Sequence, residues 1–353
     1  MKTTTIIMAG GNGTRFWPKS RTTMPKQFLD LDNNGTLLNQ TIARMKPLST
    51  LTDLYIVGNL AHKPLFEKTL PNGFEMDHVL LEPMARNTAA AIAAPVMALH
   101  QASGNQVIIV LPSDQHIEDE ITFQKQLMKA VKAATEKHQV VTLGITPTFP
   151  ATGYGYLKAN LQNDDIFKLD AFVEKPDIKT AEEYVKSEDY FWNAGIFVFE
   201  SAIMLEHIQN EMPSLFEQCA KIKNWNDDLA SGDLESLYKR MPATSIDYGI
   251  MEKLDEIYMV PLDCGWSDLG SWDALSTVMN EDMDNNIHSG DVIALDTNST
   301  TIIGDKKLIA AVGLQDIVIV DTKDALLVCR KQDVQKIKQL VGVLKEKGRL
   351  KLL

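Results

Sequence analysis

The chain has 353 residues, 44% of them hydrophobic and 23% charged, which is an ordinary composition for a soluble globular protein with a large core. Its formal net charge of -12 argues against general binding to nucleic acid or to anionic membranes, but is compatible with a local basic pocket. Three isolated cysteines fit a reducing compartment and show no zinc-binding spacing. No apolar run is long enough for a membrane span or a cleavable leader, so we expect a cytoplasmic protein.

A glycine-rich loop follows the first apolar run, residues 5–8, which indicates a buried strand. The loop, Gly10-Gly11-Asn12-Gly13-Thr14-Arg15, holds three glycines within four positions. Main-chain N–H groups that no Cβ shields, at the end of a strand, form a concavity suited to phosphate groups. Arg15 and, further on, Lys26 add positive charge. The pattern predicts a site for a triphosphate.

Two other phosphate-binding loops do not fit this sequence. A dinucleotide-binding loop needs a glycine where Phe16 stands, and a P-loop needs one where Pro18 precedes Lys19 and Ser20. Taken alone, the loop is also compatible with a tight turn between a strand and a helix that binds no ligand.

The first half of the chain alternates apolar strands with helices. Strands are predicted at 54–57, 78–81, 107–111 and 140–144, and helices from residue 37, at 89–101 with a kink at Pro95, and at 122–137. This order predicts a mostly parallel sheet covered on both faces. Such sheets bind ligands at the carboxyl ends of their strands, where residues 10–15, 82–87 and 113–114 lie.

The second half changes character twice. Strands are predicted near 154–156, 171–176, 191–199 and 259–262, with helices between 201 and 254. From about residue 285 short β-rich runs follow at 291–295, 300–303, 308–312, 317–320 and 326–328, before an amphipathic helix at 333–344. We therefore predict a catalytic domain over 1–284 and a small all-β domain with a C-terminal helix over 285–353.

Asp114 and Asp268 are candidate metal ligands, because Mg²⁺ prefers one or two carboxylates together with phosphate oxygens and waters. Each could instead cap a helix or fix a turn. His116 has no second His or Cys nearby, which disfavours zinc.

At another strand end, Lys175 could hold a phosphate and Glu174 could accept hydrogen bonds from sugar hydroxyls. Alternatively, the two side chains could form a surface ion pair of little consequence.

Eight motifs in chain order resemble the sugar-nucleotide pyrophosphorylases, and specifically their mannose-1-phosphate guanylyltransferase branch. They are residues 10–15 with Pro25-Lys26-Gln27, Glu82-Pro83 with Arg86-Asn87-Thr88, Pro112-Ser113-Asp114-Gln115-His116, Thr152-Gly153-Tyr154-Gly155-Tyr156, Phe172-Val173-Glu174-Lys175-Pro176, Trp192-Asn193-Ala194-Gly195, Ser245-Ile246-Asp247-Tyr248 and Trp266-Ser267-Asp268-Leu269-Gly270-Ser271-Trp272. The departures are small: Phe16 and Lys19 stand where aliphatic residues are common, and Gly249 stands where alanine is usual.

The resemblance implies an α/β fold: a Rossmann-like nucleotidyltransferase domain with a mostly parallel sheet, and a short left-handed β-helix that aids homodimer formation. It implies an enzyme that transfers GMP from GTP to α-D-mannose 1-phosphate, with Mg²⁺ as cofactor. Family members with a further cupin-type isomerase domain are longer, so we expect a single activity.

The implied catalytic residues are Arg15, Lys26, Asp114 and Asp268, the last two as metal ligands. The implied nucleotide-binding residues are Ala9, Gly10, Gly11, Gly13, Thr14, Arg15, Lys26, Glu82, Arg86, Asn87, Thr88, Ser113 and Asp114. The implied sugar-phosphate-binding residues are Gly153, Glu174, Lys175, Asn193 and Asp268.

Three other functions are alternatives to this one. A pyrophosphorylase for another nucleotide or another hexose 1-phosphate belongs to the same class. A non-catalytic sugar-nucleotide sensor on the same fold belongs to a different functional class. Loss of Arg15, Asp114 or Asp268 would favour the sensor, but all three residues are present. An NAD-dependent dehydrogenase is excluded by the spacing of the glycine loop.

Overall fold

A computed structural model describes residues 1–11, 13–161 and 165–353. The chain forms two compact units. The first unit comprises Met1–Gly10, Ile42–Ser113 and Asp119–Cys264, and the second unit comprises Gly11–Thr41, Asp114–Glu118 and Gly265–Leu353. Both units are discontinuous along the chain, and the domain boundary predicted after residue 284 stays a prediction.

The strands, in chain order, are β1 (Thr3–Ala9), β2 (Leu54–Asn59), β3 (Val79–Glu82), β4 (Val107–Pro112), β5 (His116–Ile117), β6 (Val140–Ile145), β7 (Tyr156–Asn160), β8 (Phe167–Val173), β9 (Tyr190–Glu200), β10 (Ile257–Leu262), β11 (Trp266–Ser267), β12 (Ile287–Ser289), β13 (Val292–Leu295), β14 (Thr301–Ile303), β15 (Ile309–Val312), β16 (Ile317–Asp321) and β17 (Leu326–Arg330). The helices are α1 (Leu37–Met45), α2 (Lys63–Thr69), α3 (Asn87–Ser103), α4 (Glu120–Lys137), α5 (Ile178–Lys186), α6 (Ser201–Glu211), α7 (Pro213–Cys219), α8 (Trp225–Ser231), α9 (Asp233–Tyr238), α10 (Ile246–Gly249) and α11 (Ile337–Glu346). No helix among the described residues is both long and apolar enough to cross a membrane.

The first unit is built on a nine-stranded sheet in the order β3-β2-β1-β4-β9-β6-β10-β8-β7. Strands β3, β2, β1 and β4 pair in parallel, as do β6 and β10, whereas β9 runs antiparallel between β4 and β6. The strands of a parallel sheet covered on both faces are apolar throughout, and residues 107–111 of β4 are accordingly all buried. The sheet thus contains the predicted parallel strands, together with antiparallel pairings of β9 with β4, β6 and β7 and of β8 with β10 and β7.

The carboxyl ends of β1, β3 and β4 lie at one edge of this sheet. Residue Met8 pairs with Pro112, and Asn59 on the intervening strand β2 pairs with Glu82. The main-chain N–H of Ser113 donates to the Met8 carbonyl at 3.0 Å. The polar residues that follow these strands within the first unit are thus held by the sheet register itself.

Helices α3, α6 and α7 pack together beside the sheet. Helix α3 runs without a break from Asn87 to Ser103 although it contains Pro95. Its buried residues include a row of alanines, which lets neighbouring elements approach closely. Its first turn is held by the Ala89 N–H, which donates to the Thr244 carbonyl at 3.1 Å.

The second unit contains the predicted short strands and one that the sequence pattern missed, β12, which is only three residues long. Strands β12, β14 and β16 pair in parallel, and so do β13 and β15. Ile303, Val318 and Val320 form its core together with Phe16 and Trp272. The ring centroids of Phe16 and Trp272 lie 4.9 Å apart. Phe16, one of the three departures from the family pattern, is therefore a core residue here.

Gly144 occupies a tightly packed position on β6 where the pairing with β9 is irregular. A Cβ at this position would lie 2.1 Å from Met259 Sδ and 3.1 Å from Phe191 Cβ. Overpacking of a dense core costs ~1–3 kcal/mol, so Gly144→Ala should lower the free energy of unfolding in urea by that amount. Gly342→Ala is the matched control, because the exposed helix α11 has no atom within 4 Å of the new methyl group. An unchanged unfolding midpoint for Gly144→Ala would contradict the packing described here.

Candidate functional site

The described part of the glycine loop in the second unit is packed against Lys26. Gly13 has a φ of 56°, in the left-handed region, and a Cβ there would lie 2.2 Å from Lys26 Cβ. Thr14 and Arg15 follow in a short helical turn and are both exposed. Asn12 lies outside the described residues. Glycine at position 13 is thus required both by the backbone conformation and by the close approach of Lys26.

Lys26 contacts two of the other three predicted catalytic residues, Asp114 and Asp268. The side chain is buried, with 5% of the residue exposed. Its ammonium group donates to Asp114 Oδ2 at 3.0 Å and to the main-chain carbonyl of Asp268 at 2.6 Å. A buried ammonium requires such partners, since desolvating an unpaired charge is costly. The fourth predicted residue, Arg15, is exposed, and its role stays a prediction.

A two-stranded ribbon brings the two aspartate loops together. Strands β5 and β11 pair antiparallel, with Ser267 opposite His116. The turn after β11 is tight: Leu269 has a φ of 44°, and a Cβ on Gly270 would lie 2.9 Å from Asp268 Oδ2. Because each strand has two residues, neither carries a pattern that sequence analysis can detect.

The donor set of the second unit suits Mg²⁺. No group of three or more His, Cys, Asp or Glu side chains able to hold a metal occurs within residues 1–11, 13–161 and 165–353. An all-protein cage is not what Mg²⁺ requires, because one or two carboxylates and the phosphate oxygens of a substrate suffice. The side chain of Asp114 is 36% exposed and can accept such a ligand. The metal-binding roles of Asp114 and Asp268 stay predictions.

In the first unit, Glu82 ends β3 as a buried carboxyl group with 5% of the residue exposed. Burial raises its pKa from 4.5 to about 8, and the nearby Tyr238 hydroxyl opposes this only in part. Among the described residues, Glu82 Oε1 has no hydrogen-bond partner. A Cβ on Gly10 would lie 3.5 Å from Glu82 Oε2, so the bare main chain of the first loop glycine faces the carboxyl group. An acceptor of this kind is suited to a ligand that brings N–H donors.

The residues that follow Glu82 shape the start of α3. Arg86 donates from Nε to the Tyr238 carbonyl at 2.7 Å and from Nη2 to the Lys239 carbonyl at 2.9 Å. Asn87 has a φ of 64° and accepts a hydrogen bond from the Thr88 N–H. These contacts fix the turn between β3 and α3. The nucleotide-binding roles predicted for residues 86–88 are not tested by them.

The sugar-phosphate-binding residues predicted in the first unit lie on three segments. Glu174 is buried, with 6% of its side chain exposed, and contacts Lys175, whose side chain is 56% exposed. A Cβ on Gly155 would lie 2.6 Å from Glu174 Oε2, and the Gly155 carbonyl accepts from the Asn193 N–H at 2.8 Å. Glu174 and Asn193 thus both lie against Gly155, and Lys175 joins them through its ion pair with Glu174. Gly153 is exposed and has no neighbour within 4 Å of its Cβ position.

Two functional candidates were not identified from the sequence. Tyr238 lies against Glu82 although the two are far apart in the chain, and no sequence pattern predicts such a contact. Asp247 accepts a hydrogen bond from Asn193 Nδ2 at 3.2 Å. The Ser-Ile-Asp-Tyr motif was the signal available for Asp247, but the motif alone implied no role.

Comparison with known proteins identifies the family of the chain. Residues 4–285 match the nucleotidyl transferase family model, and residues 290–344 match the MannoseP isomerase/GMP-like beta-helix domain. The chain is 41% identical over 349 residues to xanthan biosynthesis protein XanB of Xanthomonas campestris pv. campestris (strain B100), covering 98% of this chain and 73% of XanB. It is 36% identical to a mannose-1-phosphate guanylyltransferase of Escherichia coli, covering 98% of this chain and 76% of the relative.

A solved structure from Thermus thermophilus, described as a mannose-1-phosphate geranyltransferase, matches with a TM-score of 0.87 and 33% identity, covering 98% of this chain and all of that one. The chain belongs to the nucleotidyl transferase family. The predicted fold class, with its β-helix-like C-terminal part, is confirmed, as is the predicted enzyme class. The resemblance to mannose-1-phosphate guanylyltransferases is also confirmed.

The raised pKa of Glu82 predicts a pH-dependent stability. A carboxyl group whose pKa rises on folding, here to about 8, destabilises the folded state increasingly as pH rises from its ordinary pKa to the raised one. The free energy of unfolding of Glu82→Gln should therefore exceed that of the wild type by a larger margin at pH 8 than at pH 5. The two margins should differ by at least ~1.4 kcal/mol, the equivalent of one pKa unit. Urea denaturation at both pH values measures this. The exposed Glu188→Gln is the control, and equal pH responses of the two variants would refute the prediction.

Proposed function

We propose that this protein transfers GMP from GTP to α-D-mannose 1-phosphate, releasing pyrophosphate and forming GDP-mannose. The observation that carries the proposal is the position of Lys26, whose ammonium binds the Asp114 carboxylate and the Asp268 main-chain carbonyl while its β-carbon packs closely against Gly13 of the glycine loop. Relatives named as mannose-1-phosphate guanylyltransferases support the choice of substrates.

The reaction is an in-line displacement at the α-phosphorus of GTP. An oxygen of the sugar phosphate forms the new bond, the bond to the bridging oxygen of the β-phosphate breaks, and pyrophosphate leaves. The attacking phosphate is already ionised, so no general base is required. The protein contributes positioning and charge compensation, for which Arg15, Lys26 and Lys175 supply positive charge. Mg²⁺, held by Asp114 and Asp268, would neutralise negative charge on the phosphates.

Glu82 is the residue that we propose to select the base. Guanine presents two adjacent N–H donors on its N1 and N2 positions, and an ionised carboxylate can accept from both. Such contacts favour the ionised form of Glu82, whose pKa is about 8 in the free protein, so guanine binding near neutral pH would be accompanied by proton release. Bases that lack this pair of donors would leave a buried carboxyl group unsatisfied, which penalises them strongly.

Substrate choice is tested by pyrophosphate release with a panel of nucleotides and hexose 1-phosphates. We expect GTP to exceed ATP, UTP and dTTP by at least ~10-fold in kcat/KM when mannose 1-phosphate is the acceptor. Equal use of UTP and GTP would contradict the proposal and favour a pyrophosphorylase of different specificity. Nucleotide-sugar binding without any pyrophosphate release would favour the non-catalytic sensor.

The metal ligands are tested by Asp114→Asn and Asp268→Asn. Each variant should lose ~10²-fold or more in kcat, the scale seen for removal of one charge-stabilising group, while retaining its circular dichroism spectrum. The exposed Asp263→Asn, which alters a nearby acid in the sequence, is the control and should keep normal turnover. Wild-type rates for either test variant at limiting Mg²⁺ would show that its carboxylate is not a ligand.

A homodimer in the cytoplasm is the assembly that we propose. Strands β13 and β15 of the second unit expose Ile293, Leu295 and Val312, each more than half accessible in the single chain. Contiguous apolar surface of this kind is typical of a protein interface. A cytoplasmic location would give access to GTP and to a phosphorylated sugar.

A further inference from the structure

The side-chain amide of Asn193 is held in one orientation. Its Oδ1 accepts from the Gly195 N–H at 3.0 Å, and its Nδ2 donates to Asp247 Oδ1 at 3.2 Å. A main-chain N–H can only donate, so the atom that faces Gly195 must be the oxygen. The NH₂ group therefore faces Asp247 and uses one of its two hydrogens there.

The position of Asp247 is fixed by its own segment. Ser245 caps α10 by accepting a hydrogen bond from the Tyr248 N–H, and the Ile246 N–H donates to Thr88 Oγ1 at 2.8 Å. One residue earlier, the Thr244 carbonyl accepts from the Ala89 N–H. The carboxylate is consequently presented to Asn193 by a backbone that is tied to the first turn of α3.

An acid at position 247 lowers the stability of the fold. Burial, followed by the charge of Glu174, raises the pKa of Asp247 to about 6, with Glu252 acting in the same direction and Lys175 and the main-chain N–H of Asp247 opposing it. The ionised form is therefore disfavoured by folding, and its cost grows as pH rises from the ordinary value of 3.8 towards 6. The hydrogen bond to Asn193 alone does not require an acid, since a neutral acceptor would serve.

We propose that Asp247 is a positioning residue of the sugar-phosphate subsite, holding the Asn193 amide so that its second N–H donates to an oxygen of a hexose 1-phosphate. The proposal rests on the proposed function, because it assigns the sugar phosphate to the segment of Glu174, Lys175 and Asn193. Glu174 and Asn193 both lie against Gly155, Lys175 pairs with Glu174, and Asp247 joins the group through its hydrogen bond with Asn193. Since a hydrogen bond to a charged acceptor is stronger than a neutral one, the carboxylate restrains the amide more firmly than a neutral residue would.

A double-mutant cycle tests the proposal. Asp247→Ala should raise KM for mannose 1-phosphate by ~10-fold, the effect of losing one hydrogen bond to a charged group, and leave KM for GTP within ~2-fold. Because Asp247 acts through Asn193, the double variant Asp247→Ala with Asn193→Ala should be no worse than Asn193→Ala alone. Asp247→Asn keeps an acceptor but loses the charge, and should restore only part of the affinity for the sugar phosphate.

A merely structural role gives different results. Additive losses in the cycle, or an equal rise in both KM values, would overturn the proposal. If Asp247→Ala does not fold, Asp247→Leu fills a similar volume without an acceptor, and the same expectations apply. Asp165→Asn, at an exposed side chain, is the control and should leave both KM values unchanged.

Direct binding separates failure of this proposal from failure of the proposed function. Calorimetric titration of the wild type with mannose 1-phosphate and glucose 1-phosphate measures binding without turnover. If the wild type binds a hexose 1-phosphate but transfers no GMP, the proposed function is wrong, and the same cycle measured in Kd supports or overturns the role of Asp247. If the wild type binds neither sugar phosphate, the proposal is overturned.

Discussion

The ammonium group of Lys26 is the interaction on which the candidate site of the second unit depends. A buried lysine persists only when its charge is compensated, because removing an unpaired ammonium from water is costly. Compensation comes from the Asp114 carboxylate and the Asp268 main-chain carbonyl, at 3.0 and 2.6 Å. The glycine loop packs on the stem of the same lysine. Three segments that are distant in the chain are thereby held around one charge.

In the first unit, by contrast, the charges of two acids with raised pKa values, Glu82 and Asp247, are only partly compensated by their surroundings. Burial raises the pKa of Glu82 to about 8 and that of Asp247 to about 6, so both acids lower the stability of the folded protein near neutral pH. Ionisable groups with such shifts occur preferentially at functional sites. A ligand that donates hydrogen bonds to Glu82 would stabilise its ionised form, so binding of that ligand would also stabilise the folded protein.

The sequence determined much of this structure through local patterns. Continuous apolar runs identified the strands of the sheet, and glycine density identified the loop at Gly13. Contacts between distant segments could not be predicted in the same way. The ribbon β5–β11, which brings Asp114 and Asp268 together, has two residues per strand, too few for any periodicity. The contact of Tyr238 with Glu82 depends on helix packing and has no local signal. The chemical roles of the site residues stay predictions.

The close approach of Gly13 to Lys26 has a consequence for the side chains that position 26 can accept. The Cβ of Lys26 lies 2.2 Å from where a Cβ on residue 13 would stand, so this part of the loop is shaped around an unbranched β-carbon. A β-branched residue at position 26 adds a second heavy atom at that carbon, to which Gly13 already lies close. Methionine or arginine would keep an unbranched carbon beside Gly13 while altering the charge or its geometry, whereas valine or isoleucine would remove the charge and crowd Gly13 at once. The shape of the glycine loop is therefore linked to branching at position 26 as well as to charge.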